Sequence, residues 1–256
     1  MTETPAAAPV PSVARAAYIL EALATARAGL TLSELARAIG APKSSCLAVC
    51  TTLVSTGLLV RTPEGQYQLG WKVVPLGRAY LANSGLVREF RRVDAELGLL
   101  PEDTLVLSLL DGRSVVYVET RPGQRKLALS YEIGMRLPAH CTASGKALLA
   151  SLPDADLAGR YAEGDFETLT PHSIRTMPAL TADLTRTRSA GYAVDDEETA
   201  PGMLCVGAAI TTRAGHPVGA LSVSMVKSTV DPARLEEATS AIRRLTTTMS
   251  ERLGGF

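Results

Sequence analysis

Thr31–Gly57, TLSELARAIGAPKSSCLAVCTTLVSTG, reads as two short helices hinged at Gly40-Ala41. In the first, Leu32, Leu35, Ala36 and Ile39 fall on one stripe, and Thr31 with Glu34 makes a capping box at its start. Gly40 ends that helix and Pro42 suits the first turn of the next. Cys46, Val49, Cys50 and Leu53 then recur at the i, i+3, i+4, i+7 spacing of a buried seam. Lys43, Ser44, Ser45, Leu47, Ala48, Thr51, Thr52 and Ser55 are left facing outward. Two helices joined by a tight turn, the second with short polar side chains near its start, form the helix-turn-helix pattern, whose second helix enters the DNA major groove. A plain helical hairpin is the alternative, because any two amphipathic helices around a glycine look alike.

The flanks decide between the two. Upstream, Ser12 is placed to cap a helix running to about Ala28, with Val13, Ala16, Ala17, Leu20 and Leu23 as its inner face. Downstream, Leu58–Arg61 and Gln66–Leu69 alternate around the turn residues Thr62-Pro63-Glu64-Gly65, which predicts a β-hairpin. Three helices followed by a hairpin is the winged helix-turn-helix order, and a generic bundle has no reason to append a hairpin bearing Arg61.

From Pro75 the pattern is helical again, with Leu76, Tyr80, Leu81, Leu86, Val87 and Phe90 among arginines, broken at Asn83-Ser84-Gly85 and ending near Gly98. Strands follow at Thr104–Leu110 and Ser114–Thr120 around Asp111-Gly112, at Lys126–Tyr131, and at Met203–Thr212 and Pro217–Met225 around Arg213-Ala214-Gly215. Helices are predicted at Ser144–Ser151, Asp154–Tyr161, Met177–Ala190 and from Asp231-Pro232 to about Arg252. Hairpins with helices between and after them indicate an α+β domain built on an antiparallel sheet.

The 256 residues suffice for two domains, and 46% hydrophobic residues with balanced charges describe an ordinary globular chain. Its longest apolar run, Met203–Ile210, is far short of the roughly 18 residues of a membrane span. Residues 1–11, MTETPAAAPVP, read as a disordered tail and not as a signal peptide, so a cytoplasmic location is expected. Four cysteines, two of them one helical turn apart on a buried seam, are read as free thiols. The net charge of zero hides an asymmetry: residues 1–80 hold seven Lys/Arg against four Asp/Glu, and residues 81–256 hold nineteen against twenty-two. The sign is that of a DNA-binding N-terminus on a neutral-to-acidic remainder.

Two stretches of the second half carry possible chemistry. His140-Cys141-Thr142-Ala143-Ser144-Gly145-Lys146 opens a helix whose free backbone N–H groups can receive a carboxylate, the alternative being a tight cap. It lacks the first glycine and the spacing of a phosphate-binding P-loop. Asp195-Asp196-Glu197-Glu198 reads as a solvated loop, and with no histidine nearby it makes a poor metal site, so neither metal nor cofactor is expected.

Here the chain resembles a known family. Gly191, Asp195, Glu198, Cys205-Val206-Gly207 and Ile210 carry the spacing of the IclR family signature. Pro42-Lys43-Ser44-Ser45, Leu137-Pro138 leading to Thr142–Ala147, and Gly219–Ser224 are similar to that family as well, so the likeness spans about residues 12–250. The chain departs from the pattern at Thr211 and, in the DNA-reading helix, at Leu47-Ala48, where many relatives carry an aromatic or His followed by Arg. The resemblance implies a winged helix-turn-helix (12–73), linker helices (74–98) and a GAF-like effector-binding domain (99–256). It also implies a transcriptional regulator, commonly a repressor, of a catabolic operon. The effector residues it implies are Ala143, Ser144, Asp195, Cys205, Ser222 and Ser224.

The residues fit that implication. Ser222 and Ser224 are two apart, so both hydroxyls face one side of a strand while Leu221, Val223 and Met225 face the other. Hydroxyls, a thiol and a helix N-terminus around one cavity suit a small organic acid, an aromatic one included, with its body on Leu127 and Leu129. In the N-terminal domain Lys43, Ser44, Ser45, Thr51 and Thr52 are expected on the major groove of double-stranded DNA, with Arg37 and Arg61 on phosphates. So few charges bind weakly, which predicts a homodimer or a dimer of dimers on a palindromic site. Two rivals remain: a redox- or metal-responsive regulator using Cys141 and Cys205, and a thiol enzyme pairing Cys141 with His140 or Cys205 with His216.

Overall fold

The computed structural model describes residues 10–26, 28–162 and 164–253, so most of the expected N-terminal tail lies outside the described residues. The chain divides into two compact units, Met1–Leu81 and Ala82–Phe256.

In the first unit α1 (Pro11–Thr25), α2 (Leu32–Ala38) and α3 (Lys43–Ser55) precede a hairpin of β1 (Leu59–Arg61) and β2 (Tyr67–Leu69). The capping box forms: Glu34 N donates to Thr31 Oγ1 at 3.3 Å, and Thr31 N donates to Glu34 Oε2 at 2.7 Å. Gly40 turns the chain into α3 at φ +60°, a left-handed conformation that favours glycine. Cys46, Val49, Cys50 and Leu53 are buried as the seam predicts, against Ile19, Leu23, Leu35, Leu59 and Tyr67.

α1 differs from expectation. Pro11 occupies its first turn, so Ser12 lies inside the helix and caps nothing, and the helix ends at Thr25 before reaching Ala28. Its inner stripe centres on Ile19 and Leu23, flanked by Ala16 and Leu20. Val13 and Ala17 fall on the far edge of that stripe at about 100° per residue and are exposed, Val13 by 66%.

α4 (Val73–Asn83) and α5 (Gly85–Leu97) meet at Ser84, whose hydroxyl accepts Val87 N at 3.3 Å, and Gly98 ends α5 in the left-handed region. No residue of α4 is buried.

The second unit is built on an antiparallel sheet in the order β5-β4-β3-β8-β7-β6. Its strands are β3 (Thr104–Asp111), β4 (Ser114–Arg121), β5 (Arg136–Pro138), β6 (Ala193–Asp196), β7 (Met203–Thr211) and β8 (Pro217–Val226). α6 (Ala143–Ala150) packs on the sheet with α8 (Met177–Ala190) behind it, and α9 (Pro232–Leu253) packs on β7 and β8 and against α5. α7 (Asp154–Arg160) carries Leu157 into the core on the α6 side.

Three expectations for this unit are corrected. Lys126–Tyr131 is not a strand: the outer edge of β4 is taken by Arg136–Pro138, with Tyr117 N donating to Met135 O at 3.0 Å. The apolar alternation there instead lays Leu127 and Tyr131 onto Ala143, Met203 and Cys205. Asp111 pairs with Ser114, so the hairpin turn is Gly112-Arg113, one residue later than expected. The acidic run begins inside a strand, β6, and does not form a solvated loop.

β7 determines how close α6 can come. Gly207 faces α6, and a Cβ at that position would lie 2.7 Å from Ala143 C and from Ser144 N. Gly207→Ala is therefore expected to destabilise this unit by about 1–3 kcal/mol through overpacking, read as a lowered urea midpoint. An unchanged midpoint would mean that α6 does not sit this close to the sheet.

Candidate functional site

On the first unit Lys43, at the first position of α3, is exposed together with Ser44, Leu47, Ala48, Thr51 and Thr52. Ser45 is half-buried and accepts a hydrogen bond from Arg15 Nη1 at 2.8 Å. Thr51 and Thr52 donate their hydroxyls to Leu47 O at 2.9 Å and Ala48 O at 3.1 Å, so their donors are already engaged. Arg37 is exposed in the last turn of α2. Arg61 is exposed on β1, its guanidinium 5.8 Å from the centroid of the Tyr67 ring. Arg15 was not anticipated, although its i, i+4 spacing to Ile19 sets it at the edge of the inner face of α1.

On the second unit the register aligns Asp195, Cys205, Ser224 and Thr104 as one row across β6, β7, β8 and β3, and sets Ser222 opposite Gly207. These side chains share the sheet face that carries α6. At the start of that helix Thr142 Oγ1 accepts Gly145 N at 2.9 Å and Thr142 O accepts Lys146 N at 2.9 Å. Among the described residues, Ala143 N and Ser144 N have no acceptor. Cys205 Sγ donates to Ser224 Oγ at 3.5 Å, and Tyr131 OH lies 3.9 Å from Cys205 Sγ. The rings of Tyr131 and Tyr117 are 5.7 Å apart. Burial pushes both phenols and the Cys205 thiol well up, so all three stay neutral donors near pH 7. Leu127 packs on the Ala143–Met203–Cys205 cluster. Leu129 lines a neighbouring groove of about 370 Å³ with Thr104, Thr120 and Tyr131.

Tyr117, Tyr131 and Thr104 were missed. Thr104 could have been found by extending the Ser222/Ser224 face across the ladder, whereas Tyr117 joins that face only through the bulge between Leu107 and Ser108. Tyr131 could not, because it reaches the cluster from a loop.

The two acidic signature residues have protein partners beside this row. Asp195 accepts Glu198 N at 2.7 Å, Thr199 N at 3.2 Å and Thr199 Oγ1 at 2.6 Å, so it clamps its own turn. Burial raises its carboxyl, and these donors together with Lys146 pull it back. Glu198 Oε1 pairs with Lys146 Nζ, which is fully buried, and Asp183 Oδ1 stands 3.5 Å from the same ammonium. A lysine in the middle of the apolar helix ASGKALLA was the signal for this pair, and it went unread. Asp196 and Glu197 both pair with Lys227, at 2.7 and 2.5 Å.

The cysteines are poorly placed as nucleophiles. Cys141 Sγ donates to Glu167 O at 3.7 Å and its thiol is pushed up to about 12 by burial. His140 also turns to Glu167 O, at 2.9 Å, and burial lowers its pKa. His216 lies in the turn beyond Thr211, about 20 Å along β7 from Cys205 at ~3.3 Å per residue.

A winged helix-turn-helix joined to a sheet domain whose polar row faces a helix N-terminus defines a DNA-binding regulator with a small-molecule pocket. Residues 12–63 match the IclR helix-turn-helix domain and residues 78–251 match the bacterial transcriptional regulator IclR C-terminal domain, and the chain belongs to the IclR family of transcriptional regulators. It is 32% identical over 246 residues to the HTH-type transcriptional regulator XynR of Escherichia coli K12, covering 96% of this chain and 98% of XynR. It is similar to the crystal structure of the IclR transcriptional regulator from Alicyclobacillus acidocaldarius, with a TM-score of 0.80 and 26% identity over 95% of this chain and 99% of that one. A homologue from Microbacterium hydrocarbonoxydans, solved in complex with 4-hydroxybenzoate, shares the fold at a TM-score of 0.70 and 21% identity, covering 96% of this chain and 100% of that one.

The buried pair yields a pH prediction. Burial pushes Glu198 up to about 7 from an ordinary value of 4.5, with Lys146 pulling it down. Between those values the native state holds a proton that the unfolded chain has released, so this group's contribution to stability falls as pH rises through that window. Urea midpoints should show wild type losing ground to Glu198→Gln from pH 5 to pH 8. Glu198→Ala, which leaves Lys146 without its closest counter-charge, should cost about 3–5 kcal/mol. A flat pH profile would contradict the upward shift that burial gives Glu198, and a neutral alanine variant would contradict the pairing.

Proposed function

We propose that this protein regulates a catabolic operon and that a small organic acid, an aromatic one, sets its hold on the operator. The observation that carries this reading is the pair of free backbone donors, Ala143 N and Ser144 N, beside Ser222, Ser224 and Cys205. A helix N-terminus favours a carboxylate through its unpaired N–H groups and dipole. The neutral thiol, phenols and hydroxyls around it can orient further polar groups without repelling an anion. That the cluster already holds the phenol of Tyr131 supports an aromatic body, as does the 4-hydroxybenzoate bound by the Microbacterium homologue. Leu127, Leu129 and Tyr131 then flank the ring. Asp195 acts by holding the turn and does not touch the ligand.

On DNA, Lys43, Ser44, Thr51 and Thr52 face the major groove, Arg37 and Arg61 reach phosphates, and Ser45 contributes through Arg15. The protein acts as a homodimer, or a dimer of dimers, in the cytoplasm. α4 supports this assembly: Leu76 and Tyr80, at i and i+4 on one face, are 61% and 53% exposed, an apolar pair that a second copy would cover.

A thermal-shift panel of benzoate, 4-hydroxybenzoate and short keto acids tests the pocket. A ligand at 100 times its Kd should add about 2.7 kcal/mol of stability, and Ser224→Ala should lose most of the shift. A panel with no shift would count against the carboxylate pocket. Light scattering on the eluted protein tests the assembly. Wild type should run at a multiple of the 26.9 kDa chain, and Leu76→Glu should run as a monomer with weaker operator retention. A monomeric wild type would remove the dimer from this reading.

A further inference from the structure

We infer that α3 recognises its half-site chiefly through the C5-methyl groups of thymines. This inference rests on the DNA-binding reading and specifies its chemistry. The helix, KSSCLAVCTTLVS, contains no Arg, Asn, Gln, Asp or Glu, so of the side chains that pair with guanine, adenine or cytosine edges in the major groove it keeps only Lys43 and its hydroxyls. Its one cation, Lys43, stands at the first position. The hydroxyls are largely spoken for: Thr51, Thr52 and Ser55 donate to carbonyls of the helix itself, and Ser45 holds Arg15.

The outward stripe is Ser44, Leu47, Ala48 and Thr51, at the i, i+3, i+4, i+7 spacing opposite the buried seam. Leu47 is 44% exposed. With the Thr51 and Thr52 hydroxyls turned to the helix, their γ-methyl groups are left to extend this surface. Beside Ala48 and Thr52 it continues into a mostly apolar groove of about 370 Å³ against Ser12, Val13 and Ala16 of α1.

An apolar stripe flanked by Lys43, Arg37 and Arg61 fits a partner with an anionic backbone and apolar points between. In duplex DNA those points are the thymine methyls, which Ala, Thr and other apolar side chains contact. The short side chains allow the helix backbone to come close to the bases.

The test uses the full-length protein and duplexes selected by it from a random-sequence pool. Binding is measured by fluorescence anisotropy at fixed salt for each selected duplex and for a copy carrying dU in place of dT. The expected result is a consensus with recurring T positions, at which loss of each contacted methyl weakens binding about fourfold, the equivalent of ~0.8 kcal/mol per buried methylene-sized group. Leu47→Ser should bind the dT and dU copies more equally. Ala48→Arg should move the selected consensus toward G. Equal affinity for the dT and dU copies would leave DNA binding standing and overturn the methyl readout. Failure to enrich any duplex would overturn the DNA-binding reading itself. If Leu47→Ser abolished self-association and left the dT preference intact, the stripe would be a protein interface and the inference would fall.

Discussion

The second unit depends on how closely the N-terminus of α6 lies on the sheet. Gly207 provides the space, since any side chain there would meet the backbone of Ala143 and Ser144. Lys146, one turn further on, is drawn into the interior and anchored by Glu198 and Asp183. A buried ion pair of this kind adds little net stability, but breaking it leaves an uncompensated charge, so it fixes the position of the helix. Glu198 is itself held in place by the Asp195 clamp on its turn. The result is a pair of unpaired peptide donors held rigidly over a row of small polar side chains. The proposed anion site rests on that arrangement.

Much of this could be read in advance where the determinants are local. The helix-turn-helix rests on a capping box, one left-handed glycine and a seam of four residues from Cys46 to Leu53, all of which lie within Thr31–Gly57 and form as expected, while Pro42 stands at the N-cap, one residue before the first turn. The shared face of Ser222 and Ser224 follows from strand alternation alone. What could not be read depends on contacts distant in sequence. Lys126–Tyr131 has the pattern of a strand, but the edge of β4 is already occupied by β5, so the same residues serve as a loop packed on the pocket. Asp195, which the signature marks as an effector residue, also clamps its own turn through hydrogen bonds that no spacing announces. Arg15 and Lys146 each find a partner at least thirty residues away, beyond the reach of any periodicity.

The two units divide the chemistry unequally. The first presents a sparse and weakly charged reading surface, which leaves much of the affinity to backbone contacts and to the proposed assembly. The second offers buried neutral donors, and a hydrogen bond from such a donor to a charged group is stronger than in water, which is the basis of the proposed preference for a small acid. The cysteines fit this picture as packing and donor groups, with thiols held neutral by burial.

The most direct measurement of the anion site is a ¹⁵N–¹H correlation spectrum of the full-length protein titrated with 4-hydroxybenzoate. The amides of Ala143 and Ser144 should move downfield together and saturate with the same dissociation constant, as free N–H donors gain a charged acceptor, with smaller shifts along Cys205 and Ser224. Saturable binding that leaves the Ala143 and Ser144 amides unmoved would contradict the site.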